Sequence, residues 1–401
     1  MGGGAIGTCI AYYLVKHQHC RVTIVDPSAT NDGSFTPQAA SGRAGGFLAK
    51  EWCNGQETEA LTKLSYALHQ ELSVLDSDYR VLQTFSAAKV NKTTTPKAIK
   101  KPCKKPKKGT NIQHVVPFCN LGHFDNVRQS GDTLNCAQVT PGKFVKALQE
   151  ETMRLGSLTI VRGRVVGVVG PSTGDGGDGG DGGDGEKRGL IVHVNTSDVG
   201  ETSTSSATST VVHLECTDFV VAAGPWSNEC KQWGAPFSNL PEVEGLKAHS
   251  VVYDVGVTEA VALFVGLDNG SEIEYYPRPD GTVYVCGEGA DDSAVVQERP
   301  GFVQTVKGKI NLLKTNSSSL STLFNAGVVQ RESACHLPVV ISSTGLPLLC
   351  EIEKGSRCYI ATGHTCWGIC QAPGTGLVMA ELIAGKETSI CLEKFSIPTS
   401  H

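Results

Sequence analysis

The chain of 401 residues lacks any apolar run of about 18 residues, so no membrane-spanning helix is expected. It also lacks a Cys-x-x-Cys pair and any cysteine–histidine cluster at zinc spacing. No metal site is therefore expected, and the 15 scattered cysteines read as reduced, mostly buried thiols of a cytoplasmic protein. A formal net charge of -5 leaves no basic surplus, which argues against nucleic acid or an anionic membrane as the main partner. An apolar share of 40% suffices for a large core, and the length suits two domains.

A further absence touches the strongest motif. Gly2-Gly3-Gly4-Ala5-Ile6-Gly7 reads as G-x-G-x-x-G on Gly2, Gly4 and Gly7, a pattern that ordinarily comes after a buried strand. Only Met1 precedes it, so the first strand is expected to be truncated. The residues after the glycines keep the right order. Ile6, Ile10 and Leu14 recur at helical spacing, Val22 to Val25 form a short apolar strand, and Asp26 closes it 19 residues after Gly7. In a dinucleotide site the glycines allow a tight turn and a close approach to pyrophosphate over the helix N-terminus, and the acid holds ribose hydroxyls. An ordinary glycine-rich turn explains the glycines but not the helix, strand and acid in register.

Downstream, Ala39-Ala40-Ser41-Gly42-Arg43-Ala44-Gly45-Gly46-Phe47-Leu48 is dense in small residues, which lets backbone approach a flat ligand, with Arg43 near its phosphates. A flexible loop is the plainer reading. Leu61, Leu64, Leu68, Leu72 and Leu75 mark an amphipathic helix over 57–75. Residues 89–111 carry seven lysines between Lys97 and Lys108. Without interleaved aromatics in an otherwise acidic chain, they read as a solvated insertion rather than a nucleic-acid or nuclear-import patch. Residues 172–188, with Asp every third position among glycines, and 196–210, rich in Ser and Thr, read as two further insertions. Thr140-Pro141 opens a helix through Met153, and strands are expected over 160–169, 190–194, 211–214 and 219–221. Ala223-Gly224-Pro225-Trp226-Ser227 is a small-residue turn after a buried strand. Tyr275 to Gly281 with Val283-Tyr284-Val285 is a hairpin. Structure is expected to resume at Val115, and a last strand at 359–362 leads through Gly363-His364 and Trp367-Gly368 to Ala372-Pro373-Gly374-Thr375-Gly376, where a helix is expected to start.

Taken in this order, the fingerprint, Ala223 to Ser227, the Tyr-x-Arg-Pro-x-Gly hairpin at Tyr276 to Gly281, and Gly363-His364 with Ala372 to Gly376 resemble the FAD-dependent D-amino-acid oxidase family, which includes glycine and sarcosine oxidases. Ser41 to Ala49 with Glu51-Trp52-Cys53 is similar to a eukaryotic branch of oxidoreductases in fungi, plants and protists. The resemblance implies an α/β fold in which a Rossmann-like FAD domain (1–50, 138–240 and 331–401) is interleaved with a substrate domain on a mostly antiparallel sheet (51–137 and 241–330). It implies FAD contacts from Gly2, Gly4, Ala5, Ile6, Gly7, Asp26, Pro27, Ser41, Gly42, Arg43, Ala44, Gly45, Gly46, Phe47, Val165, Ala223, Gly224, Trp226, Gly363, His364, Gly368, Pro373, Gly374, Thr375 and Gly376. The helix start at Gly374 to Gly376 would face the flavin pyrimidine ring. The implied reaction takes a hydride from a carbon next to an amine nitrogen, the imine hydrolyses, and oxygen reoxidises the flavin to give hydrogen peroxide.

One departure bears on the substrate. Where amino-acid oxidases of the family have a carboxylate-clamping arginine before a proline, this chain has Leu337-Pro338, and leucine makes no bidentate contact. Arg331, Arg278 and His336 are the substitutes nearby. Tyr276, His364 and Arg331 are the candidate catalytic residues, with a core hydrogen bond the plainer role for His364. Cys366 and Cys370 flank the presumed flavin, which some relatives bind through a thioether, although a small buried residue is the plainer reading. A small-molecule amine oxidoreductase is thus expected. The alternative is a catalytically silent flavoprotein with a binding or regulatory role, some relatives of the eukaryotic branch being associated with endosome-to-Golgi traffic. An NAD-dependent dehydrogenase accounts for the first glycines but not for Gly374 to Gly376.

Overall fold

A computed structural model describes residues 2–30, 37–75, 78–89, 116, 118–119, 124–170, 189–196, 210–267, 272–287 and 293–398. The insertions expected at 89–111, 172–188 and 196–210 lie outside these residues apart from their end positions, as does Val115.

Helix α1 (Ala5–Gln18) is buried from Thr8 to Val15 with no polar face, so it is a core helix, and it feeds β1 (Val22–Asp26). The small-residue stretch becomes a short α2 (Ala40–Arg43) and β2 (Phe47–Ala49), and the amphipathic α3 (Glu59–Leu72) comes after them. Strands β3 (Arg80–Val81), β4 (Gln83–Lys89), β5 (Phe124–Gly131) and β6 (Cys136–Gln138) lead to α4 (Pro141–Arg154). Its proline sits at the first position, where a missing N–H costs nothing. Then come β7 (Leu158–Arg162), β8 (Arg164–Val169), β9 (Leu190–Asn195), β10 (Val211–Cys216) and β11 (Phe219–Val221). The strand expected over 160–169 is broken at Gly163, where a side chain would meet Val194, so β7 joins β1 while β8 turns to β9.

The next stretch holds β12 (Glu242–Asp254), β13 (Val261–Gly266), β14 (Glu272–Pro277) and β15 (Thr282–Gly287). After α5 (Lys307–Leu320) and α6 (Leu323–Ala326) come β16 (Val328–Ile341), β17 (Leu348–Glu351), β18 (Cys358–Thr362) and α7 (Gly368–Ile383).

The largest sheet has seven strands in the order β16-β12-β15-β14-β13-β4-β5, mostly antiparallel with one parallel pair, β13–β4. The domain boundary expected at 330/331 falls inside β16, which runs beside β12 for its whole length. Two parallel pairs, β1–β7 and β11–β18, form the other layer, flanked by α1, α4 and α7. The result is an α/β fold in which chain segments alternate between the two layers.

Helix α7 differs from expectation. It begins at Gly368, not at Ala372 to Gly376, and carries Pro373 inside it. Proline leaves the carbonyl four residues earlier, on Ile369, without its helical donor. His69 of α3 fills that vacancy: its Nε2 lies 2.9 Å from the Ile369 oxygen and must be the protonated nitrogen, since a carbonyl only accepts. Gly374 and Gly376 serve the same packing. A side chain at Gly374 would press on Leu61 and Ser65 of α3, and one at Gly376 would lie 2.6 Å from Cys9 of α1.

Candidate active site

A cavity of about 1080 Å³ opens between the N-terminus of α1, the 37–47 stretch, the ends of β11 and β18, and one face of the seven-stranded sheet. At one end it has the parts of a dinucleotide site. Gly2, Gly4, Ala5 and Ile6 line it, with Asp26, Pro27, Val165, Ala223, Gly224 and Trp226. A side chain on Gly2 would meet the Ala222 carbonyl at 2.6 Å, and one on Gly7 would meet the Gly2 carbonyl at 1.9 Å, so these two glycines lock the turn. Gly4 is different: a side chain there would meet only the Ser41 hydroxyl, at 3.2 Å, and would occupy space on the cavity side. The Asp26 carboxylate closes this end, accepting the Gly3 and Ser28 backbone N–H groups at 2.8 Å each. Burial pushes its pKa up. The Ser41 hydroxyl accepts the Ala5 N–H at 2.9 Å, at the first turn of α1.

Ser41, Ala44, Gly45, Gly46 and Phe47 line the cavity too, as do His364 and Gly368. His364 Nε2 is 2.9 Å from the Thr375 hydroxyl, and burial holds its pKa down at about 3, so the ring is neutral at physiological pH. It both lines the cavity and closes a core hydrogen bond.

Several expected contacts are not on the lining. Pro373, Gly374, Thr375 and Gly376 are packed into the protein because α7 starts one to two turns earlier than the sequence suggested, while Gly7 is pressed against the Gly2 carbonyl and Gly363 against Val340. The helix end that meets the cavity is Gly368-Ile369. Gly42 is pressed against the Pro37 carbonyl, and Arg43 turns away to Ser333 and Gln38. Arg331 and Arg278 line a separate small pocket. Of the two cysteines, Cys366 lines the cavity, whereas Cys370 is a core thiol pushed up to about 12 by burial.

At the far end the wall is aromatic. Phe47 stacks on Tyr276 with ring centres 5.8 Å apart, and Trp52 and Phe264 complete the cluster, with Phe47–Trp52 at 4.9 Å and Trp52–Phe264 at 5.0 Å. Within it lies Glu274, which sequence reasoning missed. Its Oε2 accepts the Tyr276 hydroxyl at 2.5 Å and the Cys286 thiol at 3.5 Å, and all three residues line the cavity. Burial, reinforced by the Glu274 charge, pushes the Tyr276 phenol well above its ordinary value, so it stays a protonated donor. Strand alternation was the available signal. In Glu272-Ile273-Glu274-Tyr275-Tyr276 the odd-numbered residues face the apolar core and the even-numbered ones face the cavity. Leu337 and Cys335 line the cavity too, while His336 points away and meets Glu298 at 2.6 Å.

A family model described as FAD dependent oxidoreductase matches residues 1–382. The chain belongs to the FAD-dependent oxidoreductase family. Among its relatives in this family is the Schizosaccharomyces pombe protein named "Putative oxidoreductase C1F5.03c", 32% identical over 395 residues, 96% of this chain and 92% of the relative. Among solved structures, a glycine oxidase from Geobacillus kaustophilus superimposes with a TM-score of 0.71 at 20% identity, over 100% of this chain and 97% of the other. An L-proline dehydrogenase from P. horikoshii does so with a TM-score of 0.70 at 15% identity, over 98% and 95%. Those two likenesses bear on the fold. FAD is the family's cofactor, and the residues present fit it: a glycine-lined helix N-terminus with room at Gly4, an acid at the strand end, and a cavity at the upper end of the usual ligand-site range.

Proposed function

We propose that this FAD-dependent oxidoreductase oxidises a cationic amine at the carbon next to nitrogen, with oxygen as the electron acceptor. The observation that carries the reading is the Glu274 carboxylate set in the wall of Phe47, Trp52, Phe264 and Tyr276. A carboxylate beside aromatic faces recognises an ammonium group through charge and ring quadrupoles together. Leu337 supports the same reading from the other side, because it offers an apolar contact where a clamp for an α-carboxylate would stand.

Bound FAD would supply the hydride acceptor. Glu274 holds the substrate ammonium and takes the proton that must leave before the neutral amine can give up hydride. Tyr276 keeps that carboxylate in place, and the neutral His364 adds no competing charge to the cavity. The aromatic wall aligns the carbon and restricts water around it. Hydride loss turns the amine into an imine, and water then splits this into a carbonyl compound and an amine. Oxygen takes two electrons and two protons to become hydrogen peroxide.

Arg128 of β5 lines the same cavity with no ion pair among the described residues. Through Ser86 and Phe264 it stands three strands from Glu274, about 14 Å at backbone level. A substrate that used both charges would be longer than a simple α-amino acid. The alternative, a silent flavoprotein with a binding role, draws on Leu337 and on the three insertions, which lie outside the described residues apart from their end positions. Peroxide release from the FAD-loaded protein, measured across alkylamines, N-methylamines, diamines and amino acids, tests the proposal. Amines without an α-carboxylate should show kcat/KM roughly tenfold or more above amino acids. A preference for amino acids would contradict it, and no peroxide from any of them would favour the silent reading.

A further inference from the structure

We infer that a second site, for a phosphate-type oxyanion, lies behind the 42–46 loop at the N-terminus of α4. A pocket of about 240 Å³ is lined there by Gly42, Thr140, Lys143, Lys146, Arg278 and Arg331 among others, and none of these six lines the cofactor cavity. Its charges are out of balance. Arg278 is 6% exposed, and Arg331 is half-buried beside it. Neither makes an ion pair among the described residues, and the Nε of each is buried without a hydrogen-bond partner. Arg278 donates to the Ala44 carbonyl at 3.1 Å and lies over the Tyr284 ring at 5.1 Å, which leaves most of its guanidinium donors for another partner. Arg43 adds a third positive charge that repels Arg331. The nearest acids, Asp78 and Asp280, are engaged by Lys143 at 2.8 Å and 3.8 Å.

Gathering buried cations without an anion is costly, and a bound anion offsets that cost. The helix contributes independently. Helix α4 has no side-chain cap, and the Thr140 hydroxyl beside its first turn is buried with no partner, so both a hydroxyl donor and the positive helix end face the pocket. Two guanidiniums, a hydroxyl and a helix N-terminus match the several acceptors and double charge of a phosphate group. The volume suits free phosphate or a small phosphate monoester and is too small for a nucleotide.

The position couples the site to the cofactor cavity. Arg278 holds the Ala44 carbonyl, the Tyr284 hydroxyl holds the Arg43 carbonyl at 2.8 Å, and Ala44 to Gly46 line the cavity. Occupation therefore stiffens the loop that borders the flavin.

The test is thermal unfolding of the full chain at saturating FAD, in inorganic phosphate against potassium chloride of equal ionic strength, with glycerol phosphate and malonate as further arms. Phosphate should raise Tm saturably where chloride does not, and Arg331→Gln should abolish the rise. Lys146→Gln, at an exposed position, should raise the midpoint phosphate concentration roughly fivefold while folding normally. Glycerol phosphate acting as well as phosphate or better would assign a phosphate monoester, and phosphate acting alone would assign the free ion. No rise beyond chloride, an equal rise with malonate, or wild-type behaviour of both variants would overturn the site; if Arg331→Gln fails to fold, the Lys146→Gln titration decides.

Discussion

Glu274 is the residue on which the proposed chemistry turns, and it was legible only through alternation. Its neighbours Tyr275 and Tyr276 stand out in the sequence, yet the acid two places before Tyr276 is what shares the cavity face with it. Glu274→Gln should leave flavin binding intact, since Glu274 lies at the aromatic end of the cavity, and should lower kcat/KM for amines by about 100-fold. Steady-state kinetics with a measured flavin content checks this, and an unchanged kcat/KM would remove Glu274 from the site. Two buried histidines make a second prediction. Burial holds His69 down at about 4 and His364 at about 3, whereas the unfolded chain takes up these protons near pH 6.5. The unfolded state therefore binds more protons below pH 6.5, and the stability these neutral rings contribute is present above that pH and lost as pH falls through it. Urea unfolding between pH 4 and 6.5 should show that slope, and His364→Asn should reduce it by about one proton. A variant with the wild-type slope would show that His364 does not titrate this way. Arg331 illustrates the reverse error of reading. It is near Leu337 in sequence and on the same strand, but it sits beyond Arg43, outside the cavity lining.

Among the elements, α1 and the strand after it were readable because their glycines, apolar spacing and closing acid obey one local rule. Helix α7 was not. Its glycine-rich middle looks like a helix start, whereas the start lies at Gly368 and the glycines serve close crossings with α1 and α3. Only the tertiary partner reveals this: His69, 300 residues away, supplies the donor that makes Pro373 tolerable in mid-helix. The two kinds of glycine predict different failures. Gly376→Val forces a side chain into Cys9 and should cost about 2 kcal/mol or more in urea unfolding. Gly4→Val points into the cavity and should leave the protein folded with its flavin lost, as read by the visible spectrum and far-UV circular dichroism. Stability lost equally in both would merge the two roles.

For the whole molecule, the order of segments carried most of the information. Small-residue motifs at 2–7, 41–47, 223–227 and 363–376 are far apart in sequence, yet each contributes to the walls of one cavity, as an interleaved fold requires. The division of strands between layers was less legible, since β16 looks like the start of the last cofactor segment and instead forms an edge of the seven-stranded sheet. Nothing local in Val328 to Ile341 distinguishes the two, because its partner β12 decides the matter. The central claim, that this cavity holds FAD beside an amine site built on Glu274, is tested most directly by anaerobic titration of the FAD-loaded protein. Cationic amines lacking an α-carboxylate should bleach the visible flavin absorbance stoichiometrically, and a flavin that none of a broad amine panel bleaches would contradict it.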